Sequence, residues 1–384
     1  MVSEAEIKET YDIWKLLRAA RIANKKAALS TVVRIRRSAY RREGAKLLID
    51  QEGGMNGAIS GGCLETDIRE IAFQVMNSGE PRIVHYETGG MEDIVMGLGV
   101  GCDGEVDAFL EPVAEIRDFE VIEHAIDLMD REKSFVVATL LSSDDDGLHA
   151  GSKRLLQEDG DSMGGLGLEA LDRAADEQAS TYLFGEESRT VTLSFEREGR
   201  AYEAEVFFQS LVPLPALVIF GADDDSMPLV RFAAEMGFRV TVCDRRPAYV
   251  TKDRFPTADK LVRCFPPEVK EHIPFTERTY VVTKTHNYLN DREFFEQVIE
   301  TPVPYIGMLG PKERRAGILA DVQSERGPLS EADWERIHGP AGVDVGAEGA
   351  AQVALSVLGE IIAVKSSRPA GFLRERKSSI HARR

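Results

Sequence analysis

Ala216-Leu217-Val218-Ile219-Phe220-Gly221-Ala222-Asp223-Asp224-Asp225-Ser226 decides the fold of the carboxy-terminal half. Five apolar residues in succession read as a strand buried on both faces, a glycine ends it, and a helical pattern begins at Met227. Strand, turn and helix in this order occupy the place of the phosphate turn in a dinucleotide fold. Working outward, residues 239–244, 280–285 and 305–309 read as further strands. Helices begin at Met227, near Phe294 and at about Glu348, the last running to Val364. Such alternation predicts a Rossmann-like parallel sheet with helices on both faces.

The letters of the turn depart from G-x-G-x-x-G/A. Gly221 and the small Ser226 fit the first and third positions, but Asp223 stands where the second glycine lets backbone approach a pyrophosphate. Asp223, Asp224 and Asp225 together are expected to repel a dianion, so NAD(P) binding is predicted to be weak or absent. Asp244 ends the second strand where a carboxylate holds ribose hydroxyls in NAD enzymes, and Arg245 and Arg246 follow it. His286, beside Thr285 at the carboxyl edge of a strand, reads equally as a functional or a structural residue. Lys312, Arg314 and Arg315 read either as an anion grip or as the solvated first turn of a helix.

The pattern changes at Pro213-Leu214-Pro215, which places two domains at 1–212 and 213–384. The first is expected to be α/β or α+β. It opens with a capping box, Ser3 with Glu6, and a helix carrying Ile7, Tyr11, Trp14 and Leu17 on one face. Strands are predicted at 28–35, 46–49, 82–86, 105–111 and 134–141, a helix over 118–130, and a hairpin from 190–196 and 202–208. Residues 142–188, acidic and glycine-rich, read as a variable insertion. No internal repeat is visible.

Two glycine turns in this half each carry a thiol. Gly57-Ala58-Ile59-Ser60-Gly61-Gly62-Cys63-Leu64-Glu65 delivers Cys63 to a helix start, with Leu64, Ile68, Ile71 and Val75 along one face of that helix. Free N–H groups and the helix dipole there favour the thiolate, a soft metal ligand, although Glu65 and Asp67 oppose this. Gly97-Leu98-Gly99-Val100-Gly101-Cys102-Asp103-Gly104 contains a literal G-x-G-x-x-G at Gly99, Gly101 and Gly104, but the following residues alternate as a strand and offer no helix dipole. The bland reading of Cys63 and Cys102 is inward packing.

Bulk composition narrows the classes further. A net charge of -18 in 384 residues disfavours nucleic acid as a partner. No apolar run approaches a membrane span and no leader pattern is present, so the expected location is cytoplasmic. Cys63, Cys102, Cys243 and Cys264 form no C-x-x-C pair and are expected to be reduced. Four cysteines without a C-x₄-C-x₂-C run also cannot hold the iron-sulfur clusters of a molybdenum hydroxylase. The histidines make no H-x-x-x-H pair.

The two thiol-bearing motifs resemble those of the XdhC/CoxI family: Gly57 to Glu65 its first signature, Gly97 to Cys102 through Glu111-Pro112 its second. Thr285-His286-Asn287, Tyr305 to Gly310 and Pro340 to Ala347 are similar to its later landmarks. The resemblance implies an accessory protein without independent catalysis, tied to purine catabolism. It would bind molybdenum cofactor (molybdopterin) and assist its insertion into a xanthine dehydrogenase-type molybdoenzyme. The implied site is Cys63 on the molybdenum or its sulfur, with the N–H groups of Ser60, Gly61 and Gly62 toward the pterin phosphate, and Gly99, Gly101 and Cys102 nearby. A cofactor sulfurase as a further partner and a homodimer are expected with it. The rival readings are an NAD(P)-dependent oxidoreductase, on fold analogy alone, and a companion subunit of xanthine dehydrogenase.

Overall fold

The structure is a computed structural model that describes residues 4–37, 40–62, 64–88, 104–113, 116, 119–185 and 187–376. Ser3, Cys63, Gly99, Gly101 and Cys102 lie outside the described residues. The chain divides into two units, Met1–Pro213 and Leu214–Arg384.

The first unit begins with α1 (Glu4–Ile22), β1 (Ala27–Arg37), β2 (Lys46–Asp50), β3 (Met55–Gly57), α2 (Glu65–Ser78), β4 (Arg82–Thr88) and β5 (Gly104–Pro112). It continues with α3 (Phe119–Asp130), β6 (Phe135–Ser143), β7 (Lys153–Gln157), β8 (Ser162–Gly164), α4 (Glu169–Ser180), β9 (Arg189–Arg197) and β10 (Arg200–Leu211). These are two antiparallel five-stranded sheets of matching order, β3-β2-β1-β5-β4 and β8-β7-β6-β10-β9. The insertion read into 142–188 is therefore corrected, because that stretch supplies β7, β8 and α4.

Among the described residues the order α-β-β-β-α-β-β thus occurs twice, and the register makes the equivalence residue by residue. Thr31 pairs with Lys46 on one side and Phe109 on the other, as Thr139 pairs with Lys153 and Phe207. Both central strands bulge at the same place, after Val32 in β1 and after Leu140 in β6. Gly57 and Gly164 hold positive φ, 91° and 75°, and a Cβ there would meet the carbonyls of Lys46 at 2.3 Å and Lys153 at 2.4 Å. Glycine is required at both positions for this close approach. The unit is an internal duplication.

Alternation divides each sheet into two faces. Ala28, Val32, Ala108 and Leu110 pack with Ile68, Ala72 and Val75 of α2, while Val136, Ala138 and Leu140 pack with Leu171, Ala175 and Ala179 of α4. The opposite faces meet through Val33, Phe109, Leu141 and Phe207, equivalent residues of the two repeats. Each fully buried large side chain contributes about 1.5–3 kcal/mol. α2 ends as its sequence dictates, at Gly79 in the left-handed region, whose N–H donates to the Val75 carbonyl.

The second unit holds β11 (Ala216–Phe220), α5 (Met227–Glu235), β12 (Arg239–Cys243), β13 (Lys260–Val262), α6 (Val269–His272), β14 (Thr279–Thr283), α7 (Tyr288–Val298) and β15 (Tyr305–Met308). α8 (Lys312–Arg326), α9 (Glu331–Arg336), β16 (Ile337–His338) and α10 (Gly349–Lys365) complete it. The sheet order is β13-β12-β11-β14-β15-β16 with every pairing parallel, the 3-2-1-4-5-6 arrangement of a Rossmann-type sheet. Val218 and Phe220 enter one core and Leu217 and Ile219 the other, so β11 is buried on both faces. Phe220 stacks on Phe294 of α7 at 3.9 Å between ring centroids.

Candidate functional site

In the second unit the site lies at the carboxyl edge of β11, β12 and β14, where the strand order reverses. Gly221 turns with φ 114° against the Lys284 carbonyl, and residues 224–226 form a short 3₁₀ turn before α5. The turn is filled from within. Arg246 Nη2 lies 3.0 Å from Asp223 and 2.8 Å from Asp244. Asp224 pairs with Arg254 at 2.9 Å. Asp225 meets Lys284 Nζ at 2.6 Å and His286 Nε2 at 3.1 Å. The repulsion expected from three bare carboxylates is corrected on this point, since each faces a basic side chain.

Asp244 is 5% exposed and accepts the Ala222 N–H at 2.9 Å together with the Arg246 N–H and guanidinium. Burial pushes its carboxyl up, but these donors outweigh burial and hold it below the ordinary range. Asp244 is thus engaged inward, and a ribose would have to displace Arg246 to reach it. Ser226 is wholly buried, donates to the Gly221 carbonyl and accepts from Lys284 Nζ at 3.0 Å, so it braces the turn.

Lys284 is the residue that the sequence reading passed over. Its ammonium is 2% exposed, burial lowers its pKa, and the Asp225 carboxylate opposes that shift. A lysine directly after the apolar run Tyr280-Val281-Val282-Thr283 was the available signal. His286 holds φ 55°, a strained value for a residue with a side chain, and leaves its ring largely exposed. A recess of about 130 Å³ lined by Asp244, Arg246, Thr285, Asn287 and Phe294 lies on one side. On the other, a recess of about 250 Å³ joins Asp225 and Lys284 to Leu229, Leu309, Val353 and Val357. Arg314 binds the buried Asp291 at 2.5 Å, and Asp291 in turn accepts the Thr285 N–H, so Arg314 orders the loop that carries His286.

In the first unit the structure draws the Ser60 turn around Glu65. The Ser60 N–H donates to Glu65 Oε1 at 3.0 Å, and the Ser60 hydroxyl donates to Glu65 and accepts the N–H groups of Gly62 and Leu64 at 3.1 and 3.2 Å. Burial raises the Glu65 pKa, yet the Ser60 donors prevail and keep it low. Two N–H groups expected to meet a pterin phosphate are therefore spent inside the turn, beside a fixed carboxylate. Gly62 differs in one respect: its φ is 109°, and among the described residues a Cβ built on it would meet nothing within 4 Å apart from its chain neighbours. With their N–H groups spent beside a fixed carboxylate, the described residues of this turn do not fit an anionic phosphate.

Cys243 and Cys264, far apart in sequence, bring their sulfurs to 3.2 Å as buried free thiols. Their contact and burial push the Cys243 thiol up. Among the described residues no group of three or more His, Cys, Asp or Glu side chains could hold a metal, and no helix is long and apolar enough to cross a membrane.

A duplicated α+β unit with a thiol-bearing turn, followed by a Rossmann-type unit whose phosphate turn is filled by its own side chains, defines the class. Residues 217–361 match the XdhC Rossmann domain, and residues 20–87 match the XdhC and CoxI family. The chain belongs to the XdhC and CoxI family. A Bacillus subtilis (strain 168) protein, named as a probable subunit of xanthine dehydrogenase, is 29% identical over 354 residues, 88% of this chain and 92% of the relative. The Escherichia coli (strain K12) "Molybdenum cofactor insertion chaperone PaoD" is 37% identical over 83 residues, 21% of this chain and 26% of its own. A Bacillus halodurans crystal structure described as a xanthine dehydrogenase superposes with a TM-score of 0.73 at 26% identity, covering 94% of this chain and 98% of that one.

Proposed function

We propose that this chain is an accessory protein of a xanthine dehydrogenase-type molybdoenzyme, one that holds molybdenum cofactor and assists its insertion. The observation that carries the reading is the Ser60 turn, locked by Glu65 just ahead of α2. A thiolate at a helix start is a soft ligand suited to molybdenum or its terminal sulfur. Family membership and the partial likeness to a protein named as a cofactor insertion chaperone point the same way. When bound, the cofactor would supply a molybdenum centre bearing a transferable sulfur ligand. Cys63 would hold it, and Ser60 with Glu65 would fix the turn that presents the thiol. The self-filled phosphate turn of the second unit argues against hydride transfer from NAD(P) as the chain's own activity.

The name of the Bacillus subtilis relative favours a second reading, in which this chain is a stable companion of the dehydrogenase. The experiment is to purify wild type and Cys63→Ser from a cofactor-producing host together with a partner dehydrogenase and to assay bound molybdenum and pterin. The accessory reading expects cofactor on the free wild-type chain and its loss from the variant. Equal molybdenum in both refutes the role of Cys63, and molybdenum found only in a permanent complex favours the stable companion.

A further inference from the structure

The duplication places two lysines at equivalent positions facing one small cavity inside the first unit. Lys46 and Lys153 are 4% and 2% exposed, and the cavity between the repeats is lined also by Thr31, Thr139, Glu111 and Gln209. Glu111 is 5% exposed and lies 2.7 Å from Lys153 Nζ. The register makes Gln209 the counterpart of Glu111, because Glu111 pairs with Leu29 where Gln209 pairs with Val137. Lys153 therefore meets a carboxylate from the other repeat, whereas for Lys46 the equivalent position holds an amide, Gln209, whose Nε2 donates to the Gly44 carbonyl. Among the described residues the Lys46 ammonium makes one hydrogen bond, to Thr31 Oγ1 at 3.3 Å, and stands 5.6 Å over the Trp14 ring.

A buried ammonium without a counter-charge costs several kcal/mol, so it either loses its proton or takes up an anion. The Lys46 pKa is pulled down to about 7, chiefly by burial, with Glu111 opposing and Lys153 adding to the shift. Two ammoniums, two hydroxyls, an amide and the single carboxylate of Glu111, already engaged by Lys153, surround the cavity, so its charged groups carry a positive excess suited to a negative ion. The free space is about 20 Å³, room for one water-sized particle. We propose that this cavity binds a small monovalent inorganic anion of halide size, which occupies the place of the carboxylate that Gln209 lacks.

The test uses the full chain and chloride, with gluconate, too large for the cavity, holding ionic strength constant. Thermal unfolding at pH 7 of wild type, Lys46→Met and Gln209→Glu is followed as chloride replaces gluconate. The wild-type midpoint should rise by about 3 °C for each tenfold chloride increase above the dissociation constant. Both variants should lose that response, the first because the cation is gone and the second because it carries its own carboxylate. Crystals grown in bromide should show an anomalous peak between Lys46 and Lys153, a readout that needs no variant. Equal chloride responses in all three proteins, or a bromide-soaked cavity without a peak, would overturn the proposal in favour of a neutral Lys46.

Discussion

Lys46→Met in chloride-free buffer isolates the cost of burying that lysine. In the folded chain its pKa lies at about 7 against an ordinary 10.5, with burial as the main cause. At about 1.4 kcal/mol per pH unit, this interval corresponds to on the order of 5 kcal/mol. The sign follows from proton counting. Between about pH 7 and 10.5 the unfolded chain keeps the proton that the folded chain has released, so stability rises with pH across that window. Below pH 7 both states are protonated and the penalty is fully in force. Methionine keeps the length and apolar stem without the charge. The variant should therefore be more stable than wild type at pH 7 by about 1–4 kcal/mol, the range seen when buried charges give way to apolar side chains. For a unit of this size that is roughly 3 to 12 °C in the unfolding midpoint. The assay is paired thermal or urea unfolding at pH 7, 8, 9 and 10, where the titrations of groups distant from Lys46 are shared by both proteins and largely cancel. A gap that narrows as pH rises is the expected result. A gap that is constant or widens would refute the assignment of the penalty to Lys46.

Three further outcomes follow. Gly57→Ala and Gly164→Ala should each destabilise the first unit by comparable amounts, because each Cβ strikes the equivalent carbonyl; urea midpoints differing widely between the two would argue against the duplication. Ser60→Ala removes the acceptor for two N–H groups and the donor to Glu65, and should cost about 1–2 kcal/mol while lowering bound molybdenum; an unchanged urea midpoint would count against the locked turn. Calorimetric titration with NAD and with NADP should show nothing tighter than about 100 μM, because Arg246 already fills the turn between Asp223 and Asp244; low-micromolar binding would contradict this.

The second unit was legible because its central strands are unbroken apolar runs bounded by glycine or charge, and β11 with its turn locates the switch point. The short elements β13, α9 and β16 carry too few apolar residues to announce themselves. In the first unit, 142–188 misled because Lys153-Arg154 opens a strand with two charges, and α4 buries only Leu171, Ala175 and Ala179 along an otherwise polar helix. The duplication was hidden for a related reason. The identities that the register brings out, among them Thr31 with Thr139, Lys46 with Lys153, Gly57 with Gly164, Val84 with Val191 and Phe109 with Phe207, are scattered singly along the strands. Between the buried Ile59 and α2 the first repeat also runs three residues longer than the second does between Leu166 and α4, which breaks the alignment at the thiol-bearing turn. Asp223 stands out in the sequence as a departure from the phosphate-turn glycine, but its partner Arg246 follows the end of the neighbouring strand, and only the parallel register brings them together. Cys264, just beyond the end of β13, likewise meets Cys243 of the neighbouring strand only through the fold.

The central claim is that this chain delivers cofactor to another enzyme. A xanthine dehydrogenase-type partner should be expressed with and without it, and the molybdenum content and xanthine turnover of the purified partner measured. Both should rise when this chain is present, while the isolated chain oxidises no xanthine; equal molybdenum and turnover in the two preparations, or robust oxidation by the chain alone, would contradict the account.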